Sequence, residues 1–549
     1  MGDENSIAVR STLGVFVGFL AVSAVFSWPA ACLDPAVLVT RHADLYPTIW
    51  LLSSAPLLDN HATAWPLGES LVRVDSWVLL AIAKVCSRWV SGGTLAMAVA
   101  WVGPALGATA AEWCATRAFR VARPWSLIAG FSWGFSGIAA TALLEGHVHH
   151  LLNPWLPLAY GFAVRAGRPA GRWWDAGFAG LAWSLALFTT AYAGVIGAVL
   201  MLSTGIARRP WRMLAASLPA LPAGIAYAWI FSQGGVWSDA SHHLVELGTN
   251  SLGGLAGWSE AIDTGAHSIG APLGWTVFWL FLAAPVVLRG EADWRVPFAV
   301  GAFGLVLSLG PAMELVPGGA SIPSPLAFLQ GFDGVAWFRF PVRFLWLYAM
   351  CGGLVAARVA ARLAAPRLLV LFCAVDVLAA AGMPFRLHRQ IGTSPSAYDA
   401  APPGAAILDL FAATLDRSAG EVELWQRALG CFYQGQHGRP IMEVCIGTGV
   451  DSPREITDRW LTAQLLASPP SGEPIARRLA NLGIGAVAFH RDFYRAADAL
   501  AIESGLTTAL GPLAADTYDG GEHVQLWSVP AVADSDLATA WSWLKIQER

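Results

Sequence analysis

The chain has 549 residues, of which 13% are charged and 55% hydrophobic, with a formal net charge of −4 and a mean hydropathy of +0.52. A soluble domain carries about 25% charged residues, so this composition excludes an ordinary soluble protein. Apolar runs of about 20 residues, long enough to cross a bilayer as helices, recur along the chain and point to an all-α polytopic membrane protein, not to the short alternating segments of a barrel.

Residues 11–29 form the first expected span. Asp3 and Glu4 spoil the basic start of a secretory signal, and "SWPAAC" lacks the Leu of a lipobox, so this span reads as uncleaved. A long, partly apolar loop, 30–92, follows. Within it, "DLYPTIWLLSSAPLL" (44–58) and "DSWVLLAIAKVCSRWV" (75–90) read as short amphipathic helices lying at the membrane surface. Further spans are expected at 93–116, 124–144, 151–165, 173–189, 191–206, 211–231, 273–289, 296–311, 343–360 and 367–383, which makes eleven. The fourth is short, and calls for tilt, shielding or ends that lie further out.

The loops orient these spans. Cytoplasmic loops are enriched in basic residues. Every second connection carries them: Arg117, Arg120 and Arg123; Arg165, Arg168 and Arg172; Arg208, Arg209 and Arg212; Arg289 and Arg295; Arg358, Arg362 and Arg367. Segments 145–150, 233–272 and 312–338 contain no Lys or Arg. The N-terminus is therefore expected in the cytoplasm. Loop 30–92, the segment after the third span and everything after residue 383 are expected outside it.

The remainder, 384–549, has another texture. Strands are expected at 404–411, 439–447, 484–490 and 523–529, and helices at 455–467, 474–483 and 493–505. That alternation implies a small α/β domain outside the cytoplasm, appended to a membrane domain covering 1–383. The seven cysteines fit no zinc spacing. Cys32 with Cys86, and Cys431 with Cys445, are possible disulfides in an oxidising compartment.

Charge at a membrane face is costly unless used, which singles out one set of residues. His42 and Asp44 follow the first span. "EGHVHHLLNPWLPL" (145–158) places Glu145, His147, His149 and His150 after the third. "FRFPVRF" (338–344) puts Arg339 and Arg343 at the mouth of the tenth. A carboxylate can take a proton from a hydroxyl, paired guanidiniums can grip a phosphate, and imidazoles can bind phosphate or metal or relay protons. Structural roles compete with each. Asp44 can cap the helix starting near Leu45, the histidines can form a polar cap, and the arginines can answer lipid headgroups. His147 and His150 have a chelating spacing, but no zinc motif is present. Asp59, Asp175 and Asp376 are weaker candidates, Asp376 lying inside a span, where Glu112 is a further acidic residue.

"RHADLYPTIWLL" followed by "AWPLGESL" (64–71), then "EGHVHHLLNPWLPLAY", "FRFPVRFLWL", "YQGQHGRPIMEV" and "LGIGAVAFHRDFY", resemble in order the segments of GT-C membrane glycosyltransferases of a bacterial branch. The resemblance implies a GT-C-like membrane domain with an extracytoplasmic α/β domain. It implies sugar transfer from a polyprenyl-phosphate donor, on the outer face of the bacterial inner membrane, to a glycan, lipid or protein acceptor. It makes Asp44 the base, and His42, Glu145, His147, His150, Arg339 and Arg343 substrate-side residues expected around one outer cavity. A divalent metal, Mg or Mn, serves some branches. Many relatives carry a second acidic residue beside the first-loop Asp, whereas His42 and Ala43 precede Asp44 here. The alternative reading is a non-catalytic scaffold, transporter or flippase of envelope polysaccharide assembly. Few polar residues line the spans, which argues against transport. No basic patch outside the inner loops speaks for nucleic acid.

Overall fold

The computed structural model describes residues 2–28, 30–34, 45–54, 59–60, 69–70, 76–207, 211, 218, 220–232, 274–310, 312–314, 321–325, 327–329, 341–381, 394–411, 429–434, 436–437, 439–442, 453–466, 472–519 and 522–531. Helices stand where the apolar runs predict them. They include Gly2–Phe26, Gly92–Trp113, Trp155–Ala166, Trp173–Thr189, Ala191–Ala207, Ala220–Ser232, Trp275–Val287, Arg295–Ser308, Leu345–Arg362 and Leu368–Ala380. The expected third span is broken into Ser126–Gly134 and Gly137–Leu144. The fourth is preceded by a separate single turn, Val148–Leu151. Among the described residues, three stretches, Gly92–Ala118, Ser126–Leu144 and Val342–Arg362, are long and apolar enough to cross a membrane by length and composition.

The chain divides into two compact units. The first comprises 1–34, 75–86 and 94–389, and the second 35–74, 87–93 and 390–549.

In the first unit, Leu345–Arg362 is buried along nearly its whole length. It packs against Ser126–Gly134, Trp275–Val287 and Arg295–Ser308. Small residues permit this, as expected where lipid supplies no hydrophobic drive between helices. A Cβ on Gly353 would stand 2.7 Å from the Ser132 Cβ, and one on Gly304 would stand 2.5 Å from the Leu347 Cβ. Ser132 Oγ donates to the Ala349 carbonyl at 2.9 Å.

Three acidic residues flagged in the sequence have structural partners. Glu112 is fully buried and receives Arg123 Nε at 2.6 Å, Arg123 Nη2 at 3.2 Å and Ser126 Oγ at 3.1 Å. Asp376 accepts the Thr276 backbone N–H at 2.5 Å, at the N-terminus of Trp275–Val287, where unpaired N–H groups and the helix dipole favour a carboxylate. Asp175 accepts the Arg172 backbone N–H at 3.5 Å at the start of Trp173–Thr189 and meets Arg165 at 3.1 Å.

The second unit holds a four-stranded sheet in the order Ala406–Leu410, Ile484–His490, Glu522–Ser528, Ala515–Asp519. The first pair is parallel and the other two are antiparallel. A parallel pair needs a long crossover, and Pro453–Leu466 and Gly472–Asn481 lie between its strands in the chain. With Ala496–Leu510 they bury Leu461, Leu465, Ile475, Leu479, Ile502 and Leu506 against Leu408, Val487, Phe489 and Trp527. Cys431 is disulfide-bonded. Cys32 and Cys86 carry free thiols, so the pairing between them is not formed.

One element differs from its expectation in kind. The helix Leu45–Ser54 belongs to the second unit, and its Leu45, Ile49, Trp50, Leu51 and Leu52 are buried in protein. Its apolar side chains are spent on packing, not on a membrane surface. The helix Trp77–Cys86 is in the first unit and buries Leu79, Leu80 and Ala83 while Val85 stays exposed.

Candidate functional site

The connection between the expected third and fourth spans is built from local constraints. Helix Gly137–Leu144 ends with Glu145 at its C-cap. Gly146 takes φ 74°, the left-handed region that a side chain would disfavour. His147 then caps the single turn Val148–Leu151. That turn sits close against the helix Gly92–Trp113, since a Cβ on Gly103 would lie 2.8 Å from the Leu151 carbonyl oxygen.

This reversal packs the histidines together. His147 Nδ1 is 3.1 Å from Glu145 Oε2. The rings of His147 and His150 are 5.1 Å apart, and those of His149 and His150 4.2 Å. His150 stands edge-on to Trp346 at 5.4 Å, and Trp346 meets Trp133 at 6.2 Å. Arg343 lies in the turn Pro341–Phe344 that leads into Leu345–Arg362. Its guanidinium sits 4.7 Å from the centre of the Tyr192 ring, a cation–π placement that fixes a planar, permanently charged donor. Burial pushes His150 well below the usual imidazole range, and His149, Arg343 and His147 push it further the same way. His150 is therefore neutral, and Arg343 acts electrostatically on the histidine cluster.

Glu145, His147 and His150 are thus brought together within the first unit, and Arg343 acts on His150 through its charge. Asp44, His42 and Arg339 lie outside the described residues. Among the described residues, no three His, Cys, Asp or Glu side chains are grouped to hold a metal ion. Glu145 and His147 are bonded to each other. What the cluster offers is a fixed positive charge, a carboxylate-oriented imidazole and a neutral imidazole, a set suited to a phosphate ester with a polar group beside it.

Sequence reading missed a second polar cluster, in the second unit. Tyr398 Oη donates to Asp409 Oδ1 at 2.5 Å and lies 3.1 Å from His490 Nε2. His490 Nδ1 is 3.2 Å from Glu522 Oε2, and its Nε2 is 3.4 Å from Asp409 Oδ1. Asp409 and His490 lie at the C-terminal ends of the two parallel strands. Phe411 stacks on His490 at 4.1 Å, and Tyr433 lies parallel to it at 6.0 Å. Burial alone would lower the His490 pKa, but the hydrogen bonds to Asp409 and Glu522, with their charges, raise it to about 9. His490 is fully covered, so the cluster is an internal ionic lock for the sheet. The signal available in sequence was an acid and an imidazole, each near the end of an apolar strand.

No family model matches the chain, and no curated protein sequence matches it. Among solved structures it is similar to the mycobacterial arabinofuranosyltransferase AftD, at 15% identity and a TM-score of 0.55, over 96% of this chain and 40% of AftD. A mutant form of AftD gives 14% identity and a TM-score of 0.58, over 96% of this chain and 42% of the other. The apo oligosaccharyltransferase of Archaeoglobus fulgidus aligns at 11% identity and a TM-score of 0.44, over 88% of this chain and 70% of that one. The likeness shows a fold shared with AftD, and the chain spans about two-fifths of the length of AftD.

Proposed function

We propose that this chain is a membrane glycosyltransferase that moves a sugar from a polyprenyl-phosphate donor to a glycan, lipid or protein acceptor of the cell envelope. The observation that carries the reading is the Glu145–His147–His150–Arg343 cluster, within a fold shared with a glycosyltransferase. A fold alone does not assign chemistry; the cluster supplies groups of the right kind.

In the proposed reaction, Arg343 and His147 hold the donor phosphate, with Arg339 as a further phosphate ligand. Glu145 fixes the imidazole that it bonds. Asp44, with His42 beside it in sequence, serves as the base. The acceptor hydroxyl oxygen attacks the anomeric carbon and the new glycosidic bond forms. The carbon–oxygen bond to phosphate breaks, polyprenyl phosphate leaves with the bonding pair, and the acceptor proton passes to Asp44. Arg343 stabilises the charge that grows on the leaving phosphate. No step is routed through a metal. The proposal includes the bacterial inner membrane as location, eleven crossings, a cytoplasmic N-terminus and the C-terminal domain outside.

Transfer of labelled sugar from polyprenyl-phosphate donors in proteoliposomes tests this. Wild type is expected to transfer, and Arg343→Ala to lose about 10²-fold or more in kcat/KM, of the order expected when one donor to developing charge is removed. Equal transfer by both proteins overturns the assignment of the cluster.

A further inference from the structure

Beside the histidine cluster stands an amide that the reaction above does not use. Asn153 lies between the turn Val148–Leu151 and the helix Trp155–Ala166. It is 3% exposed. Its Nδ2 and Oδ1 are both buried without a hydrogen-bond partner among the described residues. Buried polar side-chain atoms in folded proteins are almost always paired, and each exception needs an explanation. Here the donor and the acceptor of one side chain are left open together. The side chain lines a cavity of about 20 Å³ with His150, Leu151, Trp133 and Trp346. That space holds about one water-sized group.

The open pair of atoms restricts what fits. An ionised phosphate oxygen only accepts, so it would satisfy Nδ2 and set a negative charge against Oδ1. A cation would satisfy Oδ1 and oppose Nδ2. A hydroxyl both accepts and donates, so a single one meets both open atoms: Nδ2–H donates to the hydroxyl oxygen and the hydroxyl hydrogen is donated to Oδ1. The walls agree with a hydroxyl carried on a ring. Trp133 and Trp346 offer aromatic surface to C–H groups, and the imidazole beside them, His150, is neutral. Arg343, which the donor phosphate needs, acts on the same His150.

We infer that Asn153 is a specificity residue that reads one hydroxyl group of the lipid-linked sugar, with Trp133 and Trp346 as the apolar walls beside it. The inference rests on the glycosyl-transfer reading and deepens it by separating sugar recognition from phosphate recognition within the same unit.

The test measures binding by the full-length protein in nanodiscs. The probes are sugar-free undecaprenyl phosphate and a panel of undecaprenyl-phosphate-linked pentoses and hexoses, followed by native mass spectrometry. Asn153→Ala is expected to weaken the preferred sugar-bearing lipid about 10-fold or more, the size of effect expected when a hydrogen bond to a neutral group is lost. Sugar-free undecaprenyl phosphate should change by less than about 2-fold. Asn153→Asp, which keeps the shape and loses the N–H donor, should fall between wild type and Asn153→Ala for the sugar lipid alone. A deoxy sugar lipid lacking the hydroxyl that is read should bind wild type and Asn153→Ala equally. Unchanged sugar-lipid binding in both variants, or equal weakening of both lipid classes, overturns the inference and assigns the amide to a resident water or to packing. A wild type that binds neither lipid class overturns the glycosyl-transfer reading, and this inference with it. A wild type that binds both, with Asn153→Ala binding each lipid class as wild type does, overturns the inference alone.

Discussion

Trp50, on the helix Leu45–Ser54, donates its indole N–H to the side-chain carbonyl of Gln434, 384 positions further along the chain, and both side chains are buried. Tyr433, the neighbour of Gln434, lies parallel to the His490 ring at 6.0 Å. The helix that directly follows Asp44 is thus held by the same unit that contains the ionic lock. Trp50→Phe removes the N–H and leaves Gln434 unpaired, at a cost of about 1–3 kcal/mol. Trp50→Ala removes the ring as well and should cost about 3–5 kcal/mol. Hydrogen exchange across 45–54 should rise in that order. Unchanged exchange in Trp50→Ala would show that the helix is held by other contacts.

The ionic lock gives the second unit a pH signature. The His490 pKa is raised from 6.5 to about 9, so its protonated form stabilises the fold. That contribution is complete below about pH 6.5 and is lost as pH rises through about 9. Burial lowers His437 to about 4, so its contribution is complete above about pH 6.5 and is lost as pH falls through about 4. Protection of strands Ile484–His490 and Glu522–Ser528, corrected for intrinsic exchange rates, should fall between pH 7 and 10. His490→Gln should lower protection at pH 6.5 and flatten that fall. A wild-type profile flat to pH 10 would remove the lock.

Glu112 is buried and held by Arg123 and Ser126. Arg123→Ala would strand its charge and should destabilise the first unit by about 3–5 kcal/mol. The double variant Glu112→Gln with Arg123→Ala should recover part of that loss. Thermal unfolding in detergent reads both. Equal loss in single and double variants would show that packing, not charge, is at stake.

Glu145 and His147 form a bonded pair, and paired residues act non-additively. Glu145→Gln and His147→Ala should each raise the donor KM, and the double variant should be little worse than the poorer single one. Additive losses in kcat/KM would separate the two residues.

The helices were legible because long apolar runs have few other ways to satisfy their backbone in lipid. The break at Phe135 and Ser136 was not, because "GFSGIAA" stays apolar through it. The core strands Ala406–Leu410 and Ile484–His490 announced themselves by burial on both faces. The strand Ala515–Asp519 is a half-exposed edge of sequence "ADTYD", and nothing in its composition marks it. In the candidate site, Glu145, His147 and His150 share one reversal and were legible as a cluster. Arg343 joins them only through the packing of Leu345–Arg362. Asn153 was passed over because an Asn before a Pro reads as a loop residue; only its burial without a partner marks it. The Trp50–Gln434 and Asp409–His490 pairs join distant segments, and no local periodicity encodes such contacts.

The most direct measurement is sugar transfer from polyprenyl-phosphate donors in proteoliposomes by wild type and Asp44→Asn. Loss of a general base typically costs about 10²–10⁴-fold. The account predicts a loss of that size in kcat, with the thermal midpoint unchanged and donor binding retained. Transfer by Asp44→Asn at the wild-type rate would contradict it.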